Sequence, residues 1–76
     1  MNIKVLGSGC SSCEKLLERT RNAVKNAQID AEIEYITDME KIMRYGVMAM
    51  PALVVDEKVV SSGKVLQEKE VLKLIG

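Results

Sequence analysis

The sequence predicts one α/β domain with a mixed sheet covered on both faces, and three observations carry that prediction. Short apolar runs of strand length alternate with segments of helical periodicity, in the order β-α-β-α-β-β-α. The first run sets Ile3 and Val5 on one side and Leu6 on the other, the pattern of a strand buried from both directions. The connections are short, without linker, repeat or low-complexity segment. A β-α-β opening gives two parallel strands joined by a right-handed crossover. A closing hairpin and helix then complete a three-layer α/β/α arrangement, with two helices on one face and one on the other. At 76 residues the chain buries only roughly 60% of its extended surface, so a single domain over residues 1–76 is expected.

Each element has a local reason. The strand at residues 3–6 ends at Gly7-Ser8-Gly9, residues suited to a sharp turn. Leu16, Leu17, Thr20, Val24 and Ala27 recur at helical spacing, with Glu14, Lys15, Glu18, Arg19, Arg21 and Lys25 around the other side, so the first helix is expected at about residues 11–27. Residues 31–36 read as a second strand, with Ala31, Ile33 and Tyr35 on one face and Glu32, Glu34 and Ile36 on the other. Two glutamates on one side suit an edge strand. Thr37 or Asp38 can cap a short helix carrying Met39, Ile42 and Met43, with Gly46 ending it. Ala52-Leu53-Val54-Val55 is a third strand. Asp56-Glu57 turns the chain into Lys58-Val59-Val60, Ser61-Ser62-Gly63 breaks that strand, and Val71, Leu72 and Ile75 mark a final helix at about 67–75.

Composition narrows the chemistry. Eleven basic residues balance eleven acidic ones, and no two basic residues are adjacent. A binder of nucleic-acid backbone is therefore not expected. No segment reaches the roughly 20 apolar residues of a membrane span, and the start of the chain lacks the apolar run of a signal peptide. A soluble, cytoplasmic, monomeric domain is expected. Histidine is absent, which removes the usual general base and the commonest metal ligand together. Cys10 and Cys13 are the only thiols, fewer than a secreted domain of this size would use as staples.

The strongest functional signal is Gly9-Cys10-Ser11-Ser12-Cys13 between a strand and a helix. With Ser11 and Ser12 in the first turn, the two sulfurs can meet, since positions three apart in a helix fall within the Cα separation of a disulfide. Unpaired amides at this helix end favour a thiolate on Cys10, while Cys13 lies one turn inside, sheltered by Leu16 and Leu17. Cys10 can attack a partner disulfide and Cys13 can then resolve the mixed disulfide. Met50-Pro51, immediately before the third strand, is a second signal. Pro51 reads either as an ordinary strand-opening proline or as a cis residue that offers the Met50 backbone to an extended substrate.

These residues together give the chain a family resemblance. Gly9-Cys10-Ser11-Ser12-Cys13, Met50-Pro51-Ala52-Leu53 and the glycine of Ser61-Ser62-Gly63 resemble the thioredoxin-like superfamily. Within it the chain is most similar to the small prokaryotic redox-active disulfide proteins, a minimal thioredoxin/glutaredoxin-like group, from Ile3 to Ile75. The resemblance implies sheet order 2-1-3-4, with the fourth strand antiparallel to the third. It implies disulfide reductase activity without an organic cofactor, with Cys10 as nucleophile and Cys13 resolving. It also implies a cis Pro51 bordering a substrate groove, with Gly63 near the same rim; Gly9, Ser11, Ser12 and Met50 complete the candidate groove. The implied partners are a disulfide-containing protein or small molecule and an electron-donating reductase. The chain departs from thioredoxin in having Gly9 where a Trp precedes the first cysteine, Ser11-Ser12 between the cysteines, and no carboxylate in the first strand. It departs from glutaredoxin in lacking Cys-Pro-Tyr-Cys and Thr-Val-Pro, so its glutathione-binding pattern is incomplete.

Two other readings use the same residues. Cys10 and Cys13 could hold a soft metal or metalloid, as in small heavy-metal-associated domains. Those domains carry Met two positions before the first cysteine, where this chain has Ser8, and they lack a helix corresponding to Met39-Ile42-Met43. Structural zinc would find only half of a tetrahedral ligand set in one chain. A non-catalytic interaction domain is the third reading. Met39 and Met43 are expected as core filler and Tyr35 and Tyr45 as packing residues; Gln67 to Glu70 are expected on a solvated helix face. Met48 and Met50 divide between a hydrophobic recognition rim and ordinary loop packing.

Overall fold

A computed structural model describes residues 1–75; Gly76, the last position of the expected domain, lies outside the described residues. The elements are β1 (Asn2–Leu6), α1 (Ser11–Asn26), β2 (Glu32–Ile36), α2 (Met39–Arg44), β3 (Ala52–Val55), β4 (Lys58–Ser62) and α3 (Glu68–Ile75). They form one four-stranded sheet in the order β2-β1-β3-β4. β1 pairs parallel with β2 and antiparallel with β3, and β3 pairs antiparallel with β4. The β-α-β-α-β-β-α topology, the mixed sheet and the three layers are those that the sequence predicts, and β2 lies at the edge.

Strand alternation divides the core. Ile3, Val5 and Leu53 face α1 and α3 and pack with Leu16, Val24, Val71 and Ile75. Leu6, Ala52 and Val54 face α2 and pack with Ile36 and Ile42. Ile3, Val5 and Leu6 are all fully buried, as the lack of strict alternation in β1 implies.

The structure alters several local expectations. Met39 and Met43 are 49% and 70% exposed, so they are not core filler. A six-residue helix makes little more than one and a half turns and buries only Ile42. Asp38 caps α2 by accepting a hydrogen bond from the Glu40 amide at 3.0 Å. β4 continues through Ser61 and Ser62, paired with Leu53 and Ala52. A register shift between Leu53 and Val54 leaves Val60 as the extra residue of a bulge, which lets the strand run on past the predicted break. Asp56 and Glu57 both have positive φ, 49° and 69°, as a two-residue hairpin loop twisted to match its strands requires.

Candidate active site at the sheet end

Four chain segments meet at one end of the sheet. β1 leads through Gly7-Ser8-Gly9 into α1. In the register where Leu6 pairs with Ala52, and Ala52 with Ser62, Pro51 and Gly63 continue the neighbouring strands at this same end. Gly9 takes φ +86° and has open space around it, so the turn before Cys10 uses the left-handed conformation that glycine adopts without strain.

Cys10 is itself the N-cap of α1. Its backbone is extended, with φ −73° and ψ 164°. Its carbonyl accepts from the Glu14 amide at 3.0 Å, and its Sγ accepts from the Cys13 amide at 3.3 Å. A sulfur thus stands where a Ser or Asp oxygen commonly caps a helix, among unpaired amides that favour negative charge. Cys10 and Cys13 form a disulfide with Cα atoms 5.2 Å apart. The two partners differ sharply in surroundings: Cys10 is exposed and Cys13 is fully buried. Ser11 and Ser12, between them, are exposed.

Gly7 is a site residue that the sequence reading passed over. A Cβ placed there would stand 2.6 Å from both Cβ and Sγ of Cys13 and 3.5 Å from Cε1 of Tyr35. The absence of a side chain therefore lets the buried cysteine lie directly on the strand end. A glycine at the last turn of the first strand, three residues before a Cys-x-x-Cys, was the available signal.

The Met50–Pro51 peptide is cis, and Pro51 is buried. The Pro51 carbonyl accepts from the Gly63 amide at 2.8 Å. Gly63 has φ +74°, and a Cβ on it would lie 3.0 Å from Cβ of Ala49, so it fits closely beside the Met50-Pro51 approach. Met50 packs against the Leu6–Ala52–Val54 cluster, while Met48 is 98% exposed. The two methionine side chains thus separate: that of Met50 packs in part against the sheet, and that of Met48 is free at the surface.

Tyr45 is more than a packing residue. Its hydroxyl accepts from Lys4 Nζ at 2.8 Å and donates to Glu57 Oε2 at 3.0 Å, while Lys4 also pairs with Glu57 Oε1. These bonds hold the Lys4 ammonium well above the usual lysine range and the Glu57 carboxyl below the usual glutamate range. The network lines a cleft with Lys41, Arg44 and Glu34 that includes neither cysteine. Sequence spacing could not reveal it, because its members come from β1, the end of α2 and the β3–β4 turn.

Among the described residues, no third Cys, His, Asp or Glu joins the cysteines in a cluster able to hold a metal. No described helix is long and apolar enough to cross a membrane. Residues 1–76 match the family profile of the thioredoxin domain. The chain is 39% identical over 75 residues to a thioredoxin of Methanothermobacter thermautotrophicus, covering 99% of this chain and 97% of that one. It is 33% identical over 69 residues to a thioredoxin of Methanocaldococcus jannaschii, covering 91% and 79%.

Proposed function

Because the chain belongs to the thioredoxin domain family, we propose that it works as a thiol-disulfide oxidoreductase in which Cys10 attacks and Cys13 resolves. A disulfide on this fold supports oxidoreductase activity, and the single observation that carries the assignment of roles is the asymmetry of the pair. Cys10 is exposed and caps α1; Cys13 is fully buried.

In the reducing direction, the Cys10 thiolate attacks one sulfur of a substrate disulfide. The Cys10–substrate bond forms and the substrate S–S bond breaks, releasing one substrate thiolate. The Cys13 thiolate then attacks Cys10 Sγ. The Cys10–Cys13 bond forms, the mixed disulfide breaks, and the second substrate sulfur leaves as a thiolate. The substrate gains two electrons and takes up two protons, and the cysteine pair loses the same. An electron-donating reductase restores the dithiol, and no organic cofactor is needed. The substrate is a disulfide-bearing protein or small molecule, and the setting we propose is a monomer in the cytoplasm. Pro51, Gly63 and Met50, with Gly9, Ser11 and Ser12, form the rim along which that substrate lies.

The test is a defined redox titration followed by turnover of insulin and of a small disulfide, with soft-metal binding measured on the same reduced sample. A reversible two-proton mass change, turnover lost in Cys10→Ser, and a mixed disulfide trapped through Cys10 in Cys13→Ser are expected. Trapping through Cys13 in Cys10→Ser, with none in Cys13→Ser, would reverse the two roles. Tight Cu(I), Zn(II) or As(III) binding without turnover would replace the assignment with metal handling.

A further inference from the structure

The α1–α3 face holds a buried polar group that the exchange cycle leaves without a role. The Tyr35 hydroxyl is shielded from solvent and has no hydrogen-bond partner. A phenol can both donate and accept, and an unmet buried polar group is destabilising, so a native instance calls for an explanation. Its location supplies one. Tyr35 lies on β2 opposite Val5 and packs against the Ile3–Val5–Leu16 cluster. Its ring leans toward the disulfide end: Cε1, next to the carbon bearing the hydroxyl, lies 3.5 Å from the point where a Gly7 Cβ would stand. Cys13 Sγ lies 2.6 Å from that same point. Gly7 contributes no side chain to the space between ring and sulfur. β1, with the sequence Asn2-Ile-Lys-Val-Leu6, places no carboxylate beside Cys13.

We propose that the Tyr35 hydroxyl donates a hydrogen bond to Cys13 Sγ in the reduced protein. In the oxidised protein Cys13 Sγ is bonded to Cys10 and the phenol is unpartnered. Reduction breaks the S–S bond, adds two electrons and leaves Cys13 as a thiolate or thiol free to turn about its Cα–Cβ bond. The freed sulfur is then a new acceptor at the end toward which the Tyr35 ring leans, and an anionic sulfur takes a stronger hydrogen bond than a neutral one. The phenol keeps its proton throughout and forms no covalent bond. The effect is differential, because the hydrogen bond exists in the dithiol and is absent from the disulfide. Tyr35 thereby makes the couple easier to reduce and steadies the resolving thiolate.

The inference rests on a reversible Cys10–Cys13 couple, and the experiment separates the two claims. Wild type and Tyr35→Phe are equilibrated with a reference dithiol, and protein labelled with 13C at the tyrosine Cζ is recorded in both redox states. The sequence has two tyrosines, so Tyr45 serves as an internal control. In Tyr35→Phe the equilibrium should move about tenfold toward the disulfide, or about 30 mV toward a more reducing potential. In wild type the Tyr35 Cζ signal should shift on reduction while that of Tyr45 stays in place. An equilibrium unchanged within twofold in folded Tyr35→Phe would overturn the role of Tyr35 and leave the exchange function standing. If the variant does not fold, a Tyr35 signal that fails to move in wild type overturns the role by itself. A wild-type pair that cannot be cycled at all would overturn the exchange reading, and this inference with it.

Discussion

The two faces of the sheet are built differently, and the active site draws on both. On one face, α1 and α3 close over Ile3, Val5 and Leu53 in a continuous apolar cluster, and Cys13 is buried in the first turn of α1 beside Gly7. On the other face, six-residue α2 covers Leu6, Ile36, Ala52 and Val54 through the single buried residue Ile42. Beyond that small cluster the face turns polar, with Lys4, Tyr45 and Glu57 bonded together. The first face holds the larger buried cluster, and Cys13 is fully buried. The second holds α2 and the 46–50 segment that delivers Pro51. A small domain thus separates the buried sulfur of Cys13 from the backbone leading into Pro51.

The largest expected effect tests that division directly. Leu16→Ala or Leu53→Ala removes a fully buried side chain from the α1–α3 face, with an expected loss of about 3–5 kcal/mol. Ile42→Ala should fall at the lower end, about 2 kcal/mol, because exposed Met39 and Met43 flank it on a short helix that can settle inward. Urea unfolding of the three variants measures the ranking. An Ile42→Ala loss as large as that of Leu16→Ala would show that both faces carry the fold equally.

A narrower test places one methyl group at the seam between sheet and disulfide. Gly7→Ala would set a Cβ 2.6 Å from Cys13 Cβ and Sγ. Neither neighbour is the far end of a flexible chain, so α1 or the strand end must shift, with an expected loss of about 1–3 kcal/mol. The same substitution at Gly9 meets no atom within 4 Å but meets a left-handed φ instead. Comparing the two by thermal unfolding separates close approach from backbone conformation. Equal stability of Gly7→Ala and wild type would show that Cys13 does not rest on the strand as closely as the structure places it.

What could be read beforehand follows the same division. The α1–α3 face was legible because its residues obey period: Ile3 and Val5 alternate, Leu16, Leu17, Thr20 and Val24 follow a helical stripe, and Val71 and Ile75 repeat one turn apart. The cysteine pair was legible because strand, turn and helix signals converge on Cys10 to Cys13. The α2 face was not. In so short a helix, period alone assigns Met39 and Met43 to the same stripe as Ile42, and only the packed structure shows the sheet accepting one of the three. The Lys4–Tyr45–Glu57 network joins residues as many as 53 positions apart, and Cys13 and the Tyr35 ring come close to Gly7 only when β1, β2 and α1 are assembled. No local pattern encodes these contacts.

The smallest expected effect concerns that polar network and its dependence on pH. The Glu57 carboxyl is held below its usual range by hydrogen bonds from Lys4 and then Tyr45, and the Lys4 ammonium is held above its range by Glu57 and then Tyr45. A carboxyl depressed in the folded state stabilises it at pH above the unfolded value of about 4.3, and that contribution is lost as pH falls through the lower folded value. An ammonium raised in the folded state stabilises it below the unfolded value of about 10.4, and that contribution is lost only as pH rises through the still higher folded value. Between roughly pH 5 and 10 both contributions are present. Glu57 is 64% exposed at the side chain, so salt and solvent keep the effect small. Glu57→Gln should therefore lower Tm slightly at pH 7 in low salt, and the gap from wild type should close toward pH 3. A gap that persists unchanged at pH 3 would mean that Glu57 acts through shape or turn conformation rather than charge. The α2 face would then be held by packing alone, like its larger counterpart.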